Sequence, residues 1–181
     1  MPRRPRAFHA GIYHVAARGS DTRHLFVTDH DRHDFLQRLA QTCELFELAL
    51  ISYVLMGTHY HTLIRIPDAR ISLALQCLHT EYSRWHNRRH GRRAHLFRAH
   101  PLAREISSDR QLIAAARYLA LNPVEAGLVS DALEWPWSSA RAHAGMSRPR
   151  IPLFEHDLLA AFGGGAAWRT EYRTQIERDA S

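Results

Sequence analysis

Apolar and polar residues follow two different periods along this chain, and each period predicts one type of element. Alternation with period two, or a short apolar run between turn residues, is typical of β-strands. This pattern covers residues 8–18, 48–56, 59–66 and 96–106. Apolar residues at helical spacing cover residues 28–46, 71–87 and 110–121. Pro101 places the fourth strand at a sheet edge or a bulge, and Asn122-Pro123 predicts the end of the third helix.

This order of elements predicts an α+β fold. Strand, helix, strand, strand, helix, strand is the order of a ferredoxin-like split βαββαβ antiparallel sheet with its helices on one face. The third helix is then an addition to that unit. We predict one domain over residues 1–145 and a C-terminal extension over residues 146–181, with short helical patterns near 154–162 and 168–176.

The composition predicts a globular protein of the cytoplasm. The chain has 181 residues, of which 45% are apolar and 23% charged. No apolar run reaches the roughly 18 to 20 residues that cross a bilayer, and residues 1–6 contain no apolar signal core. Cys43 and Cys77 lack metal-ligand spacing and are interpreted as buried, reduced thiols.

The net charge of +6 and the pI near 10 indicate a polyanionic partner. All 24 basic residues are arginine. Arginine binds phosphate through a planar fork and stacks on bases, which suits nucleic acid, although a GC-rich genome explains the arginine codons equally well. The absence of lysine excludes a Walker loop and a lysine nucleophile.

His59 and His61 lie in an apolar run that predicts a strand. Side chains alternate faces along a strand, so both imidazoles should project to the same side, with Tyr60 on the other. Such a pair forms half of a metal site, or else two satisfied or solvent-facing imidazoles.

Tyr118 and Asn122 are four residues apart and should share one helix face. A phenol is a poor nucleophile unaided, because only about one in a thousand is ionised at pH 7. A metal ion on a phosphate oxygen would assist its attack on phosphorus. The amide oxygen of Asn122 is a candidate third ligand, although the residue is also a candidate helix C-cap before Pro123.

Three motifs in this order resemble those of one protein family. They read YVLMGTHYHTLI over residues 53–64, RYLALNPVEAGLV over residues 117–129 and WPWSS over residues 135–139. IYHVAARG at 12–19 and FVTDHDR at 26–32 fit the start of the same pattern. Over residues 8–143 the chain resembles the REP-associated tyrosine transposases, relatives of the single-tyrosine HUH transposases of small bacterial insertion sequences.

The resemblance implies an activity and a set of site residues. His59 and His61 match the family's metal-binding histidines, Tyr118 its nucleophile, and Asn122 the polar residue one helical turn later. Such an enzyme cuts single-stranded DNA beside a hairpin, forms a 5′-phosphotyrosine and releases a 3′-hydroxyl. The resemblance favours magnesium or manganese, whereas imidazole ligands alone favour zinc or iron. The acting unit is a monomer or a homodimer.

The basic segment, defined as residues 84–93 together with Arg98, has the highest density of positive charge. Arginines interleaved with an aromatic residue suit a single-strand groove, although they also suit a solvated helix C-terminus. The predicted DNA contacts are Arg84, Trp85, Arg88, Arg89, Arg92, Arg93 and Arg98.

Two alternatives remain beside the transposase interpretation. The chain has Gly57-Thr58 where the family usually has Pro-Asn before the first histidine, which suggests a domesticated or inactive relative that binds repeat hairpins without cleavage. An amidohydrolase-type metal site is the other alternative, but such barrels need about 250 residues.

Overall fold

A four-stranded antiparallel sheet forms the centre of the molecule. The computed structural model describes residues 8–20, 24–98 and 100–177. The strands are β1 (Gly11–Arg18), β2 (Ala49–Leu55), β3 (His59–Ile66) and β4 (Leu102–Ile106). Their spatial order is β2-β3-β1-β4, with every neighbouring pair antiparallel. The sequence and strand order together confirm the predicted ferredoxin-like split βαββαβ sheet.

In the described part of the chain, three long and three short α-helices accompany the sheet. The long helices are α1 (Asp29–Leu45), α2 (Ile71–Arg89) and α3 (Asp109–Glu125). The short helices are α4 (Ala140–His143), α5 (His156–Ala161) and α6 (Trp168–Glu177). Thr28 caps α1 through a capping box with Asp31, and Ser108 caps α3.

The two faces of the sheet bury two separate apolar clusters. On one face, α1 and α2 pack against alternate residues of the strands, among them Tyr13, Tyr60 and Ile64. On the other face, α3 packs against Ile51 and Leu63, together with the C-terminal helices. The added helix therefore has a sheet face of its own, opposite the two helices of the split βαββαβ unit.

The fourth strand is shorter than predicted. Strand β4 begins at Leu102 rather than at residue 96, and it pairs with β1 up to Ile106. Within the described residues, the preceding segment meets the end of β1 through the isolated bridge between Gly19 and Phe97 and through the bond from the Arg98 N–H to the Arg18 carbonyl. Because proline has no backbone N–H to donate to a ladder, continuous pairing starts only after Pro101.

The third helix continues through Asn122 and Pro123 and ends at Glu125, so the predicted C-cap role of Asn122 is wrong. A Schellman motif ends the helix: the Gly127 N–H bonds to the Val124 carbonyl, and the Leu128 N–H bonds to the Pro123 carbonyl. Gly127 has φ +67°, which glycine adopts without strain. Pro123 has no N–H to donate to the carbonyl four residues earlier, so the helix continues past it with one hydrogen bond fewer.

The C-terminal extension packs on α3. Leu158, Trp168, Tyr172 and Ile176 are buried in the same cluster as the apolar face of α3. An ion pair between Arg65 of β3 and Asp157 of α5 also joins the extension to the sheet. Both predicted helical patterns are therefore helices, and the boundary at residue 145 stays a prediction.

Several smaller features complete the fold. Among the described helices, none is both long and apolar enough to cross a bilayer. Both cysteines are free; Cys43 is buried as predicted, whereas Cys77 is only half-buried. Apart from Tyr118, the tyrosines of the chain are buried: Tyr13, Tyr53, Tyr60, Tyr82 and Tyr172.

A buried histidine couples this core to pH. His79 of α2 bonds through Nε2 to the Tyr60 hydroxyl at 2.8 Å and stacks on Phe97 with the ring centroids 3.8 Å apart. Burial lowers the pKa of His79 to about 4, because a charged imidazole would lose its hydration there. Below its ordinary pKa the unfolded chain therefore binds a proton that the folded chain does not, and folding is weakened.

We predict that His79→Gln makes stability less sensitive to acid. Between about pH 7.5 and about pH 5, the free energy of unfolding of the wild type should fall by about 1–2 kcal/mol more than that of the variant. Glutamine keeps an acceptor for Tyr60 but does not titrate. Urea unfolding at several pH values measures the difference, and equal pH slopes in both proteins would contradict it.

Candidate active site

The two histidines of the first motif lie on the sheet face that α3 covers. His59 begins β3, and its register partner is Arg18 at the end of β1, while His61 lies opposite Ala16. The ring centroids of His59 and His61 are 5.2 Å apart. Tyr60 between them is fully buried on the opposite face, as the alternation along a strand requires.

Helix α3 brings the second motif to these histidines. The Oδ1 atom of Asn122 lies 3.2 Å from the Nε2 atom of His59. The ring centroid of Tyr118 lies 5.4 Å from that of His61, in an edge-to-face contact. Tyr118 is 39% exposed, whereas Asn122 and His61 are buried. The four residues predicted from the two motifs thus meet at one place, with the phenol on its open side.

Two further side chains hold the imidazoles in place. The Thr58 hydroxyl lies 3.2 Å from the Nδ1 atom of His59, and the Nε2 atom of His14 lies 3.0 Å from the Nδ1 atom of His61. The ring of His14 also contacts that of Tyr118, with centroids 5.9 Å apart. Hydrogen bonds to one ring nitrogen fix the tautomer and the orientation of the other, so Thr58 and His14 are positioning residues.

The surroundings disfavour the protonated form of the three imidazoles. The pKa of His61 is lowered to about 3, mainly by burial and then by His14, His59 and Arg18. Burial also lowers the pKa of His14 and His59, with Arg104 and Arg18 acting in the same direction. A neutral imidazole keeps the lone pair that a metal ion or a proton needs.

The residues present fit a divalent ion. Within the described part of the chain, the buried Nε2 atom of His61 has no hydrogen-bond partner. The separation of 3.2 Å between His59 Nε2 and Asn122 Oδ1 is close to the ~3 Å between adjacent octahedral ligands with bonds near 2.1 Å. Two imidazoles and one amide oxygen leave the remaining positions for phosphate oxygens or water.

The basic segment begins in the last turns of α2 and returns to the end of β1. The Arg98 N–H bonds to the Arg18 carbonyl at 2.8 Å, beside the strand position that faces His59. Among the described residues, four arginine side chains of this segment make no ion pair: Arg88, Arg92, Arg93 and Arg98. Arg84 pairs with Glu81, and Arg89 lies 3.5 Å from Asp31.

Trp85 belongs to an aromatic stack rather than to an open surface. Its half-buried ring stacks on His30 at 5.6 Å and on Tyr82 at 5.8 Å, and the Arg89 guanidinium lies 5.7 Å from its centroid. Its predicted contact with a DNA base stays a prediction.

Two residues of this region were not predicted. His14 is on the polar side of β1, and Arg18 is the exposed last residue of that strand. Alternation along β1 places both on one face, but only the register with β3 shows that this face is shared with His59 and His61. A second group that could hold a divalent metal ion, formed by Asp31, His86 and His90, was also not predicted.

Comparison with solved structures identifies the type of fold. The chain is similar to a REP-associated tyrosine transposase whose structure was solved bound to a REP hairpin. The two share 14% sequence identity and a TM-score of 0.67, over 85% of this chain and 92% of that one. At this identity the match supports the fold. No curated protein sequence matches the chain.

A comparison of the sequence with models of protein families identifies the family. Residues 7–120 match the model of the IS200-like transposases, which covers the sheet, α1, α2 and most of α3. The chain therefore belongs to the IS200-like transposase family, as the motifs had indicated.

Proposed function

We propose that this chain is a metal-dependent single-stranded DNA endonuclease and strand transferase that acts beside hairpin repeats. Family membership supports a transposase-type activity, and the similar solved structure was bound to a REP hairpin. The single observation that carries the proposal is the contact between Tyr118 and His61, at 5.4 Å between ring centroids, beside the pair formed by His59 and Asn122. A DNA-acting enzyme of this kind would work in the cytoplasm, at the nucleoid.

The proposed reaction is a transesterification. The Tyr118 oxygen attacks the scissile phosphorus, the bond to the 3′ oxygen breaks, and a 5′-phosphotyrosine and a free 3′-hydroxyl result. The new phosphotyrosine ester keeps the energy of the broken bond, so attack by a 3′-hydroxyl can reverse the step and no nucleotide cofactor is consumed. Because Tyr118 is partly exposed, a DNA strand can reach its hydroxyl, while the contact with His61 fixes its ring.

His59, His61 and Asn122 would hold the divalent ion, with magnesium or manganese the expected metal. When bound, the ion supplies a Lewis acid for the phosphate oxygens and stabilises the charge that develops on them. Thr58 and His14 orient the two imidazoles through their other ring nitrogens. The contact between Tyr118 and His61 lies within one chain, which supports use of the nucleophile in cis by a monomer or by each subunit of a homodimer.

A relative that binds hairpins without cutting them is the second candidate. The specific observation in its favour is Gly57-Thr58, where the family usually has Pro-Asn. In the structure these two residues form the turn between β2 and β3, and their carbonyls accept bonds from Gly19, Leu25 and Phe26. The two candidates differ in one measurable respect, which is the covalent intermediate.

We predict that Tyr118→Phe abolishes the covalent adduct. Purified wild type with Mn²⁺ and labelled single-stranded hairpins drawn from the flanks of the encoding gene should form a protein–DNA adduct that survives denaturation. The variant should form at least about a thousandfold less, because it lacks the attacking oxygen.

Tyr13→Phe is the matched control for this experiment. It removes the phenol of Tyr13, which lies on the opposite face of the sheet and bonds to the His9 carbonyl at 3.2 Å. This control should form the adduct normally. If the wild type binds the hairpins but never forms an adduct, the binding-only candidate is correct.

We predict that His14→Phe weakens the use of metal without destroying the nucleophile. The variant keeps a ring beside Tyr118 but loses the bond to His61 Nδ1, so the Mn²⁺ concentration for half-maximal adduct formation should rise about 10- to 100-fold. Adduct formation at saturating Mn²⁺ should be largely retained. His9→Gln, an exposed histidine of the same segment, should leave both values unchanged, and an unchanged Mn²⁺ requirement in His14→Phe would contradict the positioning role.

We predict a steep salt dependence of single-strand binding. With four to six arginines of the basic segment on phosphates, a plot of log affinity against log salt should have a slope of roughly −3 to −4. Arg92→Gln or Arg93→Gln should each reduce its magnitude by about 0.7, because each removes one phosphate contact. Arg70→Gln, at the other end of α2, should leave the slope unchanged, and equal slopes in all proteins would exclude the segment from the DNA contact.

A further inference from the structure

Helices α1 and α2 bring together three side chains of types that can ligate a metal ion, on the sheet face opposite to α3. Asp31 is in the first turn of α1, His86 is in the last turn of α2, and His90 caps that helix. His86 and His90 are four residues apart on one helix face, with ring centroids 4.4 Å apart. One ligand atom from each of the three residues lies within 4.8 Å of the others.

The burial of His86 demands a partner that the protein does not provide. His86 and Asp31 are both 0% exposed. Within the described part of the chain, neither ring nitrogen of His86 has a hydrogen-bond partner. A buried polar atom without a partner is costly, so natural proteins leave few of them. A bound ion at this place would satisfy one of the two nitrogens.

The carboxylate of Asp31 is already fixed for such a role. Its Oδ2 atom accepts the backbone N–H groups of Val27 and Thr28, each at 2.8 Å, which locks the side chain into the start of α1. Its Oδ1 atom points the other way, at 3.0 Å from His90 Nε2 and 3.5 Å from Arg89 Nε. One oxygen therefore has a structural role, and the other faces the two histidines.

We propose that Asp31, His86 and His90 bind a transition-metal ion, with Zn²⁺ the best match, at a site separate from the His59–His61 pair. Two imidazoles and one carboxylate are a common three-residue ligand set for zinc, with the fourth position left to water. The ion would join the start of α1 to the end of α2 at the base of the basic segment. It would also compete with Arg89 for the Asp31 carboxylate and so leave that exposed arginine without this ion pair.

Cobalt(II), a coloured substitute for zinc, provides the direct test. The protein is prepared at full length, without a histidine tag, and in a His59→Ala/His61→Ala background that removes the other histidine pair. After removal of metal by a chelator, Co²⁺ should give the intense visible spectrum of a low-coordinate site at one equivalent. Zinc should then displace it with the same stoichiometry.

Variants at the site and beside it make the test specific. His86→Phe and His90→Gln should each lower the affinity for Zn²⁺ by at least about a hundredfold, since each removes a ligand. His30→Gln changes an exposed histidine next to Asp31 in the sequence and should bind normally. Arg89→Gln should bind zinc several-fold more tightly, because it removes the cation that competes for Asp31.

Thermal unfolding is a second readout that does not depend on the spectrum. Zinc at about 100 times its Kd should raise the Tm of the background protein by about 5–10 °C and leave that of His90→Gln unchanged. His90 is partly exposed, so this variant keeps the test open if His86→Phe does not fold. Equal zinc binding by the background protein and His90→Gln, or no binding by the background protein, would overturn the proposal. Neither result bears on adduct formation by Tyr118.

Discussion

The packing of α3 on its sheet face is the contact on which the candidate site depends. Leu112, Ala116, Leu119 and Ala120 of α3 are buried in one apolar cluster with Ile51, Val54 and Leu63 of the strands. Because Tyr118 and Asn122 are on the same helix, this packing sets their distance from His59 and His61. A strand contributes the two imidazoles, a helix contributes the phenol and the amide, and only the tertiary contact makes them one site.

Much of this arrangement could be predicted from local periodicity. A period of two places His59 and His61 on one face, and a spacing of four places Tyr118 beside Asn122. Periodicity within one element does not show that β3 and α3 are in contact. That contact was inferred from the order of the motifs. His14 was missed for the same reason, because its bond to His61 depends on the register between β1 and β3.

The errors at element ends have a common physical cause. Proline was interpreted as the end of α3, but the helix continues through Pro123 despite the missing N–H, and the Schellman motif at Gly127 determines where it stops. At β4 the opposite happens: an apolar segment before Pro101 fits the strand pattern, yet continuous pairing begins only at Leu102. In both cases the backbone hydrogen bonds that form, rather than the apolar pattern, decide the boundary.

The strongest sequence argument against cleavage is that the chain has Gly57-Thr58 where the family usually has Pro-Asn. The geometry of the site counters part of this argument. The backbone carbonyls of both residues hold neighbouring segments, a role that does not depend on side chains. The Thr58 hydroxyl at 3.2 Å from His59 Nδ1 supplies a polar partner for the imidazole that would bind the ion. Thr58 thus orients His59, His14 orients His61, and burial lowers the pKa of both imidazoles. This completeness favours a catalytic role for the site over a purely binding one.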